Sequence, residues 1–251
     1  MRFDLCRLGR CDTYRRLLGW LMAAGLLMGT TAAQAGPPSF AAVLDAMQER
    51  WAATMDYQCR FETQSSNGEA TRDVVLAYAY RRPAQIRMEV LEGPYAGSLL
   101  LYNRAVAPRQ VRVRAGNPLL AFLQRMLYGE FFAVDHEWVV DLRGNGIHES
   151  DWAHFIVEHQ IYVHDGTTRF VGEEMLDGRT TYRYRLLSHS PRQASSITEE
   201  EVWVDAESFF PVQYFQYDAA GRLVRKARVR NLKFNTGIDP QLFVAFHPDE
   251  S

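Results

Sequence analysis

The sequence predicts an α+β fold, in which a long antiparallel sheet carries its apolar residues on one face and helices cover that face. Apolar and polar residues alternate with a period of two over most of 57–113 and 168–234, which is typical of antiparallel strands with one wet face. Three segments instead have helical apolar spacing, at 39–55, 118–127 and 151–162. We therefore expect roughly nine to eleven strands and three helices.

The first 35 residues have the pattern of an export signal peptide. A basic stretch with five arginines precedes a twelve-residue apolar core, Leu17–Met28, and Ala33-Gln34-Ala35 fits the small-x-small cleavage rule. Twelve residues are too few to span a bilayer, which takes about 20. We expect cleavage after Ala35 and a periplasmic mature chain, residues 36–251, that forms a single domain. Arg15-Arg16 leaves twin-arginine export open as an alternative route.

The composition of the expected mature chain narrows its partners. The full chain has 28 basic and 30 acidic residues, and its first 35 positions hold five of the basic and two of the acidic ones. Residues 36–251 therefore have 23 basic and 28 acidic residues, a net charge of −5. A mildly acidic chain does not suggest a nucleic-acid partner. Cys59 is the only cysteine after residue 35, so packing rather than a disulfide must hold the domain together. We expect a soluble monomer.

The first helix is predicted to begin after Ser39, which can cap it. Its apolar stripe requires a partner, and the sheet that follows is the obvious one. The residues of the stripe recur at helical spacing: Phe40, Val43, Leu44, Met47, Trp51 and Met55.

Strands joined by short turns are predicted after this helix. Tyr57, Cys59 and Phe61 alternate with polar residues, and Asn67-Gly68 supplies the positive φ of a tight hairpin. The next strand segments are Val74–Tyr80, Ile86–Val90, Ser98–Tyr102 and the pair Val111 and Val113.

Two further helices are predicted in the middle of the chain. Asn117 caps the first, Pro118 occupies its first turn and Gly129 ends it. Apolar residues cover more than half of its circumference, so the helix Leu119–Leu127 is a candidate lid with the sheet on one side and a ligand on the other. Ser150-Asp151 is the predicted cap of the second helix.

A meander of three antiparallel strands is predicted near the C-terminus, after a hairpin turn at Asp177-Gly178. Its first strand contains Val202 and Val204, a turn at Asp205–Pro211 follows, and a second turn at Asp218–Gly221 leads into an arginine-rich strand.

In these residues the chain resembles the periplasmic lipoprotein-carrier (LolA-like) superfamily, in an uncharacterised branch of exported domains. The matching features are the amphipathic helix after the leader, the strand Tyr80–Glu89, the turn Val204–Pro211, Tyr217–Gly221 and the terminal Phe243–Pro248. The resemblance implies a curved open antiparallel sheet, a half-barrel with capping helices. It also implies a concave apolar face that takes up acyl chains.

The expected ligand-binding residues are apolar positions on the inner strand faces and on the lid. Ordinary core, packed under the helices, is the alternative interpretation of the same positions. Each buried methylene of a ligand is worth about 0.8 kcal/mol, so one acyl chain binds reversibly without a charged anchor. The predicted contacts are Ile86, Met88, Val90, Leu120, Leu123, Leu127, Tyr182, Tyr184, Val202 and Val204.

The arginine-rich strand has two interpretations. It is typical of the solvated convex face of a sheet. Alternatively Arg225, Arg228 and Arg230 form a docking strip for anionic head groups or for an acidic loop of a protein partner.

The sequence favours no catalytic or metal site, and no cofactor is predicted. Several histidines lie near acids in the central region, but His154 and His159 are five apart, whereas a zinc helix of the His-Glu-x-x-His type needs four. Surface or capping histidines are therefore expected. Ser188 and His189 are adjacent and point apart on an extended chain. Cys59 stands in an apolar alternation and is expected to be a buried apolar residue rather than a reactive thiol.

The predicted function is non-catalytic binding of lipid or lipoprotein acyl chains, of the carrier or chaperone type. The alternative is an envelope sensor or regulatory module that binds an inner- or outer-membrane protein. An enzyme acting on envelope substrates is the least favoured class.

Overall fold

The computed structural model describes residues 36–244 and residue 246. The expected signal peptide, residues 1–35, lies outside the described residues, as do three of the six residues of the terminal match at 243–248. The α-helices are α1 (Phe40–Ala53), α2 (Pro118–Leu127) and α3 (Trp152–His164), with short 3-10 turns at Ile147–Glu149 and Pro240–Phe243. None of the helices in the described part of the chain is long and apolar enough to cross a membrane.

Eleven strands make up one sheet within the described residues. They are β1 (Asp56–Ser66), β2 (Thr71–Arg81), β3 (Gln85–Glu92), β4 (Leu99–Asn103), β5 (Gln110–Arg114), β6 (Phe131–Ala133), β7 (Gly166–Leu176), β8 (Arg179–Ser188), β9 (Glu199–Asp205), β10 (Pro211–Tyr217) and β11 (Leu223–Phe234).

The sheet is an open, curved antiparallel sheet, which confirms the predicted fold class. Its strand order is β6-β5-β4-β3-β2-β1-β11-β10-β9-β8-β7, and every neighbouring pair is antiparallel. The first and last strands therefore meet in the middle. Each half of the sheet is a meander, and α3 lies in the segment that joins the edge strand β6 to the edge strand β7.

Helix boundaries follow the predicted caps. The side chain of Ser39 accepts a hydrogen bond from the Ala42 amide, Asn117 accepts from the amides of Leu119 and Leu120, and Asp151 accepts from that of His154. Each bond satisfies a backbone donor that lacks a partner within its helix.

The predicted turns are confirmed by the backbone. Asp177 and Gly178 have φ of 52° and 78°, the left-handed pair that a two-residue hairpin needs. At the turn between β9 and β10, the buried carboxylate of Asp205 accepts hydrogen bonds from the amides of Glu207 and Ser208 and from the Ser208 hydroxyl. The Asp205 side chain thus holds the turn closed.

The packed core lies where α1 and α3 cover the sheet. The stripe of α1 is buried at Phe40, Val43, Leu44 and Met47, whereas Met55, also predicted in the stripe, lies beyond the end of the helix and is exposed. Phe40 packs against Tyr184 of β8 at a ring-centroid distance of 5.3 Å, and Trp51 packs against Tyr80 of β2 at 4.9 Å. This contact of α1 with strands from both halves secures the helix over the inner face, as predicted.

Candidate functional site

A cavity of about 530 Å³ lies between the helix-covered face of the sheet and the segments above it. Its walls include residues of β1–β5, β10 and β11 on one side and of α2, α3 and the loop between 138 and 151 on the other. Pockets for single small ligands are typically about 300–1,000 Å³. The cavity is therefore large enough for one ligand of that class.

The sheet wall of the cavity is organised in rows, because side chains of paired residues share a face. Two apolar rows run across the strands. The first is Val113, Leu100, Met88, Tyr78 and Cys59, and the second is Val90, Leu76, Phe61 and Val229. A third row, mainly apolar, is Val74, Thr63, Ala227 and Tyr214.

A fourth row on the same face is polar. Each of its residues pairs with the next across five adjacent strands, and we call it the polar row: Arg72, Ser65, Arg225, Gln216 and Glu200. Arg72, Arg225 and Gln216 line the cavity. The cavity wall is therefore apolar over three rows and polar at one end.

Helix α2 stands over the apolar rows. Leu120, Leu123 and Leu127 line the cavity, yet no residue of α2 is buried. The helix is attached by polar contacts: the Gln124 amide donates to the Val113 carbonyl oxygen at 2.8 Å and accepts from the Ala115 amide at 3.0 Å. A helix held by a few hydrogen bonds rather than by burial can move without disrupting the core.

The outer surface of α2 is also apolar. Leu119, Phe122 and Met126 are 66%, 62% and 61% exposed. We call these three residues the outer face of α2.

The structure brings together five of the ten predicted ligand contacts. Met88 and Val90 of β3 lie across the cavity from Leu120, Leu123 and Leu127 of α2, and all five line it.

The other five predicted contacts lie outside the cavity lining. Ile86, Tyr184, Val202 and Val204 are at most 1% exposed within the packed core, and Tyr182 is half-buried against that core. The alternation correctly identified their face of the sheet, but α1 and α3 occupy the space above them. Ligand binding by any of the ten residues stays a prediction.

The three arginines of the predicted docking strip do not share one face. Arg228 and Arg230 lie on the outer face, where their guanidinium groups bind the carboxylate of Asp177 at 2.7 and 2.9 Å. Arg225 lies on the inner face and lines the cavity. An odd separation of three residues reverses the direction of a side chain on a strand, so Arg225 separates from the other two.

The sequence interpretation of His159 as a surface or capping residue is wrong. His159 is 2% exposed, and its two ring nitrogens face acceptors, the Phe155 carbonyl oxygen at 2.7 Å and Glu200 Oε1 at 2.9 Å. Two facing acceptors favour the imidazolium form, in which both ring nitrogens donate. Burial opposes its charge, but the facing Glu200 carboxylate outweighs burial and raises the pKa of His159.

The Glu200 carboxylate is the partner that sequence reasoning missed. It is 1% exposed and also accepts a hydrogen bond from the Gln216 amide at 3.0 Å. A signal for it was present in the sequence. Glu200 shares the period-two face of Val202 and Val204, so a carboxylate is directed inward with two core valines and needs a buried cation or donors.

The other histidines and the cysteine considered as reactive groups are hydrogen-bonded or protonated. The carboxylate of Glu158 lies 3.1 Å from the His154 ring and raises the pKa of that histidine. Burial raises the pKa of the Cys59 thiol to about 12, so the thiolate does not form near neutral pH. The His189 ring contacts the Thr167 hydroxyl, at 3.2 Å. No group of three or more His, Cys, Asp or Glu among the described residues is arranged to hold a metal ion.

Comparison with known proteins finds similarity to solved structures. No family model matches the chain, and no curated protein gives a significant match. An uncharacterized conserved protein from Thermus thermophilus is 11% identical, with 83% of this chain and 94% of that chain covered and a TM-score of 0.49.

Two other solved structures match with similarly low sequence identity. A LolA superfamily protein from Nitrosomonas europaea is 12% identical, with 83% and 99% covered and a TM-score of 0.38. The structure of the Pseudomonas aeruginosa MucA/MucB complex matches at 14% identity, with 81% and 61% covered and a TM-score of 0.42.

Proposed function

We propose that this protein is exported and binds lipid or lipoprotein acyl chains in its cavity without catalysis, as a carrier or chaperone. The single observation that supports the proposal best is the shape of the site. Apolar rows from the sheet meet a helix, α2, that lines the cavity while none of its own residues is buried. A ligand chain under α2 would bury Leu120, Leu123 and Leu127, none of which is buried by the protein itself.

The apolar wall supplies enough free energy for reversible binding. Burial of ten methylenes at about 0.8 kcal/mol each gives about 8 kcal/mol. The loss of translational, rotational and conformational freedom of the ligand offsets part of this free energy. The remainder corresponds to an affinity that holds a chain and still releases it, as a carrier requires.

The polar groups of the lining favour binding over catalysis. Burial raises the pKa of Cys59 to about 12, so its thiol is a poor nucleophile near neutral pH. The facing Glu200 carboxylate outweighs burial and raises the pKa of His159, which favours the imidazolium over the free base. Burial also raises the pKa of Tyr78 far above its ordinary value, so this phenol stays neutral as well.

Lipid extraction tests the proposal directly. The mature chain, residues 36–251, is purified without detergent, and its organic extract is analysed by mass spectrometry. We expect acyl species in stoichiometric amount, and we expect them to be depleted by Leu123→Asp, which places a charge inside the cavity. Leu119→Asp on the outer face of α2 is the matched control and should retain them. An acyl-free protein that also fails to bind added acyl probes would refute the function.

A second candidate function is that of a sensor that binds a membrane-protein partner. The outer face of α2 favours it, because exposed apolar side chains close together mark interaction surfaces. Arg228 and Arg230 are less available, since both are paired with Asp177. Crosslinking from position 122 in cells distinguishes the two functions: a specific membrane-protein adduct supports the sensor, and its absence together with recovered lipid supports the carrier.

A further inference from the structure

The polar row gives the cavity a chemically distinct end. Arg72, Arg225 and Gln216 line the cavity beyond the third row, at the end of the sheet wall farthest from the first row, which contains Leu100. A ligand that fills the apolar rows therefore meets two guanidinium groups where its chain ends.

Arg225 differs from the other arginines of its strand in lacking a close partner. Its side chain is 20% exposed, and its Nε atom is shielded from solvent without a hydrogen-bond partner among the described residues. The nearest carboxylate oxygen, Asp141 Oδ2, is 3.8 Å from Nε, which is too long for a hydrogen bond. The Tyr214 ring lies below the guanidinium, at 5.5 Å.

The acids around Arg225 already have hydrogen-bond partners. Asp141 accepts from the backbone amides of Arg143 and Asn145, at 2.8 and 3.0 Å, and from the Asn145 side chain. The Glu158 carboxylate lies 3.1 Å from the His154 ring, and Glu200 is bound by His159. Because these three carboxylates are already hydrogen-bonded to other residues, the guanidinium N–H groups of Arg225 are available to a ligand.

Arg72 is the second cation of the polar row. It stacks over the Tyr95 ring at 5.4 Å, and within the described residues it forms no ion pair. Two guanidinium groups on one row favour an anionic ligand group, because guanidinium donors match the oxygens of a carboxylate or phosphate.

We propose that Arg225, together with Arg72, forms a binding site for the anionic head of a single-chain amphiphile whose chain lies along the apolar rows under α2. The head is a carboxylate or a phosphate. This inference rests on the proposed function and narrows its ligand to anionic amphiphiles. It also replaces the expectation of binding without a charged anchor.

Titration calorimetry with three ligands of one chain length tests the proposal. Dodecanoate and dodecyl phosphate carry the two possible heads, and dodecanol is the neutral match. We expect the wild-type protein to bind at least one anion about tenfold to a hundredfold more tightly than dodecanol, the range of a hydrogen bond to a charged group. The anion bound more tightly tells whether the head is a carboxylate, as in a fatty acid, or a phosphate, as in a single-chain phosphate lipid.

Variants locate the effect. Arg225→Met keeps much of the aliphatic part of the side chain and removes the guanidinium, so it should lower the affinity for the anion to that for dodecanol. Arg228→Met on the outer face is the matched control and should leave both affinities unchanged. If Arg225→Met fails to fold, the Nε–H resonance of Arg225 in the wild-type protein decides: it should shift with the anion and not with dodecanol.

Two results overturn the inference. Equal affinity of the wild-type protein for all three ligands, or an unmoved Arg225 resonance, rejects the anionic head site and leaves acyl-chain binding intact. Failure of all three ligands to bind rejects the proposed function and this inference with it.

Discussion

The Nε2 atom of His159 lies 2.9 Å from the Glu200 carboxylate, and the two residues are 2% and 1% exposed. This ion pair joins α3, which lies over the cavity, to β9, the third strand from the β7 edge of the sheet. A buried pair adds little net stability compared with apolar residues of the same size, but removing one member leaves an uncompensated charge. The pair therefore fixes where α3 sits rather than how tightly the domain is folded.

We predict that the His159–Glu200 pair makes stability depend on pH. The folded pKa of His159 is raised above its ordinary value of 6.5, so the contribution is complete below about pH 6.5 and is lost as pH rises through the folded value. His154, whose pKa is also raised, acts in the same direction. The free energy of unfolding measured in urea should therefore fall as pH rises above about 6.5. A flat profile in the wild-type protein would contradict this.

Glu200→Gln should lower the free energy of unfolding by about 3–5 kcal/mol at pH 6, because it leaves the His159 charge without its partner. It should also remove most of the pH dependence. The exposed pair offers the control: His154→Gln should cost less than about 1 kcal/mol. Equal effects of the two substitutions would show that burial does not strengthen the His159 interaction.

Substitutions at two positions on the same face of β3 should distinguish a core residue from a cavity residue. Ile86 is fully buried, whereas Met88, two residues later on the same face, lines the cavity. We expect Ile86→Ala to lower the free energy of unfolding by about 2–5 kcal/mol. Met88→Ala should have a smaller effect on stability and a larger one on acyl-probe affinity. Denaturant unfolding and probe titration of both variants measure this, and the reverse pattern would reject the assignment of Met88 to the ligand wall.

Gln124→Ala should free α2 without unfolding the domain. The substitution removes the bonds to Val113 and Ala115, worth about 0.5–1.5 kcal/mol each. Hydrogen exchange should become faster in residues 117–128 and stay unchanged in the core strands, and a bound acyl probe should dissociate faster. Arg125→Ala, next to it on the exposed side, is the control. Unchanged exchange in α2 would mean that other contacts hold the helix.

Cys59 should report on occupancy of the cavity. Its thiol lines the cavity and has a pKa of about 12, so alkylation by iodoacetamide at pH 8 should be slow in the folded protein and fast in urea. An acyl ligand should slow it further. Mass spectrometry of the labelled chain gives the rates, and a rate that ligand leaves unchanged would place the chain elsewhere.

Local signals predicted most of the fold. Caps at Ser39, Asn117 and Asp151 set the helix starts, and Asp177-Gly178 set a hairpin, because each acts within a few residues. Alternation assigned the inner face of the strands correctly. It could not tell that α1 covers Tyr184 while Met88 faces a cavity, since what lies above a strand depends on segments far away in the chain.

The candidate site was less accessible to sequence reasoning. The partner of His159 is 41 positions away, so no spacing rule within a helix could find it. The separation of Arg225 from Arg228 follows from strand alternation alone and could have been derived from the sequence.

The order of the strands affects how the chain folds during its synthesis. Thr63 of β1 and Lys226 of β11 are hydrogen-bonded neighbours at the middle of the sheet, although 163 positions separate them. During synthesis the outer edge of β1 stays unpaired until β11, near the end of the chain, has been made. Such long-range pairing is slow, and an unpaired edge invites association with other chains. A chain shortened before β11 would leave two meanders with no strand to join them.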